Sequence, residues 1–247
     1  MASSSPGAYL RDSRAPRYSL TLALPLLAAY EALAALVAPA NGGVRNGADV
    51  LLKTAFQAVA GRHGQLAFGV LLVGGLLVLA VRDARRAGGR LRGGVFVMML
   101  AESAILAALF GVVVGFVTAQ VLGALSVAPT LAAGAAALSR PTALVVSLGA
   151  GLYEELLFRV VLVSLLLWGG RHLLGWGAVA STTAAVAVGA LVFSAFHYVG
   201  PYGDDLQLAS FTFRAIAGVA FSALYVARGF GITAWTHALY DVFLLVT

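Results

Sequence analysis

The chain has 247 residues, of which 61% are hydrophobic and only 11% charged, and it contains no cysteine. Soluble domains carry roughly 25% charged residues, so a water-covered globular fold is excluded; the composition suits a bilayer, which needs about 20 apolar residues per crossing helix. Without cysteine there are no disulfides or thiolate metal sites, leaving Ser/Thr, His and carboxylates for chemistry. The net charge of +6 comes from arginines clustered between apolar stretches, as in positive-inside loops. No aromatic interleaving accompanies it, which argues against a nucleic-acid partner.

In chain order, residues 1–17 form a polar tail with Arg11, Arg14 and Arg17, followed by an apolar run over 20–37. Ala38-Pro39-Ala40 looks like a small-residue cleavage site. The run is longer than the roughly 7–15 residues of a signal peptide and contains Tyr30 and Glu31, so a retained helix is expected. After a turn-rich segment, residues 48–60 predict a short interfacial or re-entrant helix, too short for a ~30 Å core. Further spans are expected at 66–81, 95–122, 142–168, 176–198, 209–227 and 231–246. The fold class is therefore all-α: a polytopic transmembrane bundle of about seven spans (six to eight). Its expected organisation is the 1–17 tail, N-terminal transmembrane helices over 18–140 and a transmembrane core over 141–247. Gly111-Val-Val-Val-Gly115 is read as a helix-packing stripe.

Arg82, Arg85, Arg86, Arg90 and Arg92 oppose a single Asp83 between the second and third spans, so that loop is expected in the cytoplasm. With the N-terminus on the same side, Arg11, Arg14, Arg17, Arg171 and Arg228 join them. The other side receives Arg45, Lys53, Arg62, Arg140 and Arg214.

An ionisable group at bilayer depth costs on the order of 3 kcal/mol, so each needs a reason to be there. The fourth span reads Gly151-Leu-Tyr-Glu-Glu-Leu-Leu-Phe-Arg159. Glu155 and Arg159 are one helical turn apart, acid first, the favourable order for an ion pair. Glu154, about 100° around the helix, has no local partner. The fifth span ends Phe193-Ser-Ala-Phe-His197, and the seventh carries His237-Ala-Leu-Tyr-Asp241, with His237 and Asp241 on one face. Each has a plain structural reading, as a buried strut, an interfacial histidine or a helix-packing hydrogen bond. One unpartnered Glu with two His and one Asp, from three spans, points more strongly to a site. Glu31 and Glu102 read as interfacial or interhelical polar contacts, and His63 and His172 as loop residues.

A buried carboxylate beside imidazoles can serve as general base toward water. The same groups, Glu154, His197, His237 and Asp241, could instead hold a divalent metal such as zinc with a bound water. Both routes lead to hydrolysis. No nucleophile-elbow serine and no His-Glu-x-x-His helix occurs. The single lysine, Lys53, lies outside the main spans, which disfavours a Ser-Lys dyad.

At these residues the sequence resembles the CPBP intramembrane proteases, which include type II CAAX prenyl proteases and bacteriocin-processing or immunity (Abi-like) proteins. The matching segments are Glu154-Glu155-Leu-Leu-Phe-Arg159, Phe193-Ser-Ala-Phe-His197 and His237-Ala-Leu-Tyr-Asp241, in family order on separate helices and within about residues 140–245. Ala-Leu-Pro-Leu-Leu-Ala-Ala-Tyr-Glu31 and Gly43-Val-Arg-Asn-Gly-Ala-Asp49 also look like segments of some bacterial members. The resemblance implies a CPBP-like catalytic core over 141–247, with Glu154 activating water, assisted by His197. It implies that His237 and Asp241 polarise the scissile carbonyl, that Glu155 and Arg159 hold the geometry, and that Phe193 supports them. Prenyl proteases carry Asn where this chain has Asp241. An ionised Asp241 cannot donate to an oxyanion, so it is protonated, orients His237 or binds a metal.

The expected function is intramembrane endopeptidase cleavage of a membrane-anchored protein or peptide, in a bacterial inner (plasma) membrane with the N-terminus cytoplasmic. Rival readings are a transporter or proton-coupled channel, which uses intramembrane carboxylates and histidines equally naturally, and a non-catalytic immunity or scaffold protein of the same fold.

Overall fold

A backbone in hydrocarbon must satisfy its polar groups internally, which favours helices. The computed structural model describes residues 6–88, 91–125, 138–200 and 203–246, and among these every regular element is helical. A short α1 (Pro6–Arg14) precedes α2 (Pro16–Asn41), which starts with proline in its first turn and ends at Gly42, in the left-handed conformation (φ 67°), whose N–H caps the Ala38 carbonyl. Next come α3 (Gly47–Ala60), a 3₁₀ turn at Gly61–His63 and α4 (Gly64–Ala87). The turn folds α4 back on α3: Phe56 meets Phe68 at 5.2 Å, and a Cβ on Gly64 would lie 2.3 Å from the Gln57 Cα. The helix expected over 48–60 is thus present as one arm of a hairpin.

α5 (Gly93–Ala124) is followed by a helical run over 140–172: α6 (Arg140–Gly149), π-helical turns at Ala150–Glu154 and Leu156–Val163, and α7 (Ser164–His172). The chain continues through α8 (Ala178–Phe196), α9 (Leu208–Arg228) and α10 (Phe230–Val246). Among the described residues, five stretches are long and apolar enough to cross a membrane: Pro16–Asn41, Gly47–Ala87, Gly93–Ala124, Ala178–Phe196 and Leu208–Arg228. About seven were expected. The difference lies in the 140–172 run, which is divided by π turns and carries charge, and in α10, which has 17 residues.

Two compact units form. One comprises Met1–Ala107, Ser139–Glu155 and Ala227–Thr247; the other comprises Ala108–Leu138 and Leu156–Val226. In the first, α10 packs against α2, α6 and the π turn at Ala150–Glu154. A Cβ on Gly231 would lie 2.2 Å from the Ser19 carbonyl oxygen, and Trp235 donates its indole N–H to the Leu22 carbonyl at 2.8 Å. Tyr18, Leu22, Val95, Met99 and Ile232 form the apolar core there. At one end, Arg17 pairs with Asp83 at 3.0 Å and Asp12 with Arg92, joining the start of α2 to the end of α4 and α1 to the residue before α5.

Near that end Arg228 grips Glu102 with two hydrogen bonds of 2.6 and 2.8 Å. It also donates to Ser13 Oγ at 2.9 Å, while Tyr9 donates its hydroxyl to Glu102 at 2.5 Å. Burial and the adjacent Glu102 carboxylate push the Tyr9 phenol pKa up, keeping it a donor. Glu102 is thus an interhelical contact, as is Glu31, described below. Removing one partner of this part-buried pair leaves the Arg228 charge without its main acceptor, so Glu102→Ala is expected to cost about 1–3 kcal/mol. In thermal unfolding in detergent, the single variant should melt well below the Glu102→Met/Arg228→Met double variant. Equal melting of the two would mean the pair is a surface contact.

Candidate functional site

The first motif lies where the helix changes winding. Ala150–Glu154 and Leu156–Val163 are π-helical, and such turns inside longer helices recur at functional sites. Glu154 and Glu155 are both buried, with relative exposures of 6% and 0%.

In the first unit Glu154, Glu155, His237 and Asp241 come together. Gly151 makes this approach feasible, since a Cβ there would lie 2.3 Å from the Ala234 carbonyl oxygen and 2.6 Å from the Ala238 Cβ. α10 therefore rests on the backbone of the π turn, and His237, also buried, places Nδ1 2.7 Å from Glu155 Oε1. A carboxylate accepts, so Nδ1–H donates and Nε2 remains for other work. Nε2 lies 3.8 Å from Asp241 Oδ2, one turn along α10. The shared face expected for His237 and Asp241 is observed; the bond to Glu155 was not anticipated.

Glu154, left without a partner on its own helix by the sequence reading, accepts a 2.8 Å hydrogen bond from the Asn46 side-chain amide. Sequence reasoning missed Asn46; its signal was its place in the Gly43–Asp49 segment. Asn46 is also the N-cap of α3, its Oδ1 accepting from Ala48 N at 2.9 Å. Around it lies a network. Tyr30 donates to Asp49 at 2.7 Å, and Arg45 and Lys53 each pair with both Asp49 and Glu31 at 2.8–3.1 Å. Tyr153 donates to Glu31 at 2.9 Å. Burial works against the charge of Arg45, but its hydrogen bonds to Glu31 and Asp49 outweigh burial and raise its pKa.

Arg159, Phe193 and His197 lie in the second unit. Buried Arg159 stacks on Phe193 at 4.3 Å and on Phe221 at 5.4 Å, and donates to the Gly218 carbonyl at 3.3 Å. His197 caps α8, half-buried, with its ring edge-on to Phe193 at 4.9 Å. Its Nδ1 is 2.9 Å from the Phe193 carbonyl, which can only accept, so in the neutral ring Nε2 is the basic nitrogen. The following loop is anchored: Asp204 N donates to the His197 carbonyl at 2.9 Å, and the Asp204 side chain pairs with Arg214.

Among the described residues no three His, Asp or Glu side chains are grouped as ligands of a metal ion.

The chain is a polytopic helical membrane protein. Residues 136–243 match the family model described as type II CAAX prenyl endopeptidase Rce1-like, a stretch that contains all three motifs. This match over residues 136–243 supports a CPBP-type intramembrane protease. No curated protein and no solved structure matches the chain.

Proposed function

We propose that the protein cleaves a peptide bond of a membrane-associated protein or peptide, with Glu154 as the general base toward water. The observation carrying this reading is a buried carboxylate held by Asn46 beside the Glu155–His237–Asp241 array, within a segment matching a membrane endopeptidase family. His197, whose Nε2 is the basic nitrogen, takes the assisting role its motif carries in the family. His237 polarises the scissile carbonyl from its doubly protonated ring: Glu155 holds Nδ1–H, and the Asp241 carboxylate on the Nε2 side favours the second proton that the polarising donor needs. The Asp241 carboxylate lies 3.8 Å from that nitrogen, longer than a hydrogen bond, so its influence on the ring in this reading is electrostatic. Arg159 and Phe193 brace the second motif helix. The arginine-rich end, with α1 and the 82–92 segment, faces the cytoplasm in this reading, and the arrangement of Arg17, Asp83, Asp12 and Arg92 supports it.

The test is substrate trapping. Glu154→Gln protein should retain a bound peptide, identified by mass spectrometry, that the wild-type protein converts to two fragments. Ion or solute flux in proteoliposomes with no fragment from any membrane-anchored candidate would favour a transporter and overturn the proposal.

A further inference from the structure

We propose that Asn46 is a positioning residue for Glu154, setting the direction of its carboxylate; the inference rests on Glu154 being the base. Asn46 is 2% exposed and uses both ends of its side chain. Oδ1 accepts from the α3 backbone at Ala48 N, and Nδ2 donates to Glu154 Oε1 across 108 residues of sequence. An amide with one end anchored to a helix terminus has little freedom at the other, so its N–H points in a fixed direction. Its surroundings are equally constrained. A Cβ on Gly149 would lie 2.5 Å from the Asn46 Cβ and 2.6 Å from Tyr30 Cε2, so Asn46 is seated against the helix that carries Glu154. The Asn46 N–H also faces the Tyr30 hydroxyl at 3.4 Å.

The ion pairs of Arg45 and Lys53 with Glu31 and Asp49 fall on either side of Asn46 and tie the start of α3 to α2. They carry the anchoring upstream of the amide. One oxygen of Glu154 is thereby held by a fixed donor, which sets the direction of the carboxylate. This assigns a role in the reaction to residues well before the segment that matches the family.

Asp and Ser cap a helix about as well as Asn, so Asn46→Asp and Asn46→Ser should keep α3. The first replaces the donor with a second acceptor; the second is too short to reach Glu154. Both are expected to lower kcat by about 10-fold to 10²-fold while leaving KM within about twofold, as misplacement of a catalytic group does. A purely structural role would instead reduce the folded fraction and leave the kcat of the folded enzyme unchanged, which overturns the inference. Glu154→Gln is measured alongside. If it cleaves like the wild-type protein, the base assignment has failed; if it is inactive while both Asn46 variants turn over normally, only the positioning role has. Should the Asn46 variants not fold, the side-chain amide NMR signal of Asn46 in otherwise unaltered protein decides. It should move between the wild-type and Glu154→Gln proteins, and an unmoved signal overturns the inference.

Discussion

Glu154→Gln is expected to lower kcat by about 10²-fold to 10⁴-fold, the range for loss of a general base, with KM close to the wild-type value. Glutamine has the same length and shape, and its side-chain oxygen can still accept the 2.8 Å hydrogen bond from Asn46. The surroundings therefore stay assembled, and what is lost is the capacity to take a proton from water. The neighbouring Glu155→Gln variant is the comparison. Its oxygen can still accept from His237 Nδ1, now at 2.7 Å, so the ring stays oriented and a smaller loss is expected. A reversed order, with Glu155→Gln the more damaging, would make Glu155 the base and Glu154 the brace. Steady-state cleavage of the trapped peptide by the three purified proteins distinguishes the two.

Gly151→Ala is expected to have a large structural effect at the site. The new Cβ would lie 2.3 Å from the Ala234 carbonyl oxygen and 2.6 Å from the Ala238 backbone nitrogen. Those are backbone atoms of α10, and no rotamer change moves them, so the helix itself must shift. Overpacking of this kind costs about 1–3 kcal/mol, occasionally more. His237 lies between Ala234 and Ala238, so its hydrogen bond to Glu155 is displaced too, and a misplacement of about 1 Å at a reacting group can cost about 10²-fold in rate. The variant should therefore lose both thermal stability and cleavage. Gly74→Ala on α4, where an added Cβ meets nothing within 4 Å, should be neutral or slightly stabilising, since alanine is the better helix former. Wild-type melting and turnover in Gly151→Ala would contradict the close packing of α10.

Much of the site was legible because charge is scarce. Only 11% of the residues are charged, so Glu154, Glu155, Arg159, His237 and Asp241 stood out within apolar runs, and the four-residue spacing correctly put His237 and Asp241 on one face. The same arithmetic had no means of finding the partner of Glu155 on α10, 82 residues away. It also assumed ordinary α winding, whereas residues 150–154 and 156–163 wind as π turns. Asn46 was hidden for a related reason: a helix N-cap in a turn-rich segment is common, and nothing local marks the one whose amide reaches a carboxylate 108 residues on. For the fold, hydropathy located the helices but not how they meet. The α3–α4 hairpin depends on Gly61 and Gly64 flanking Arg62 and His63, a turn that an apolar average over 50–81 passes across.

The Glu102–Arg228 contact bears on how the chain is made. Its two residues are 126 positions apart, so during synthesis α5 leaves the ribosome long before the arginine that neutralises its carboxylate exists. Until then Glu102 must wait beside water, lipid headgroups or the insertion machinery, with Tyr9 from the already completed α1 as its early companion. The arrival of residue 228 then draws together α1, α5 and the end of α9, and α10 follows immediately with His237 and Asp241. Assembly of the first unit and completion of its polar array thus come together, late in translation.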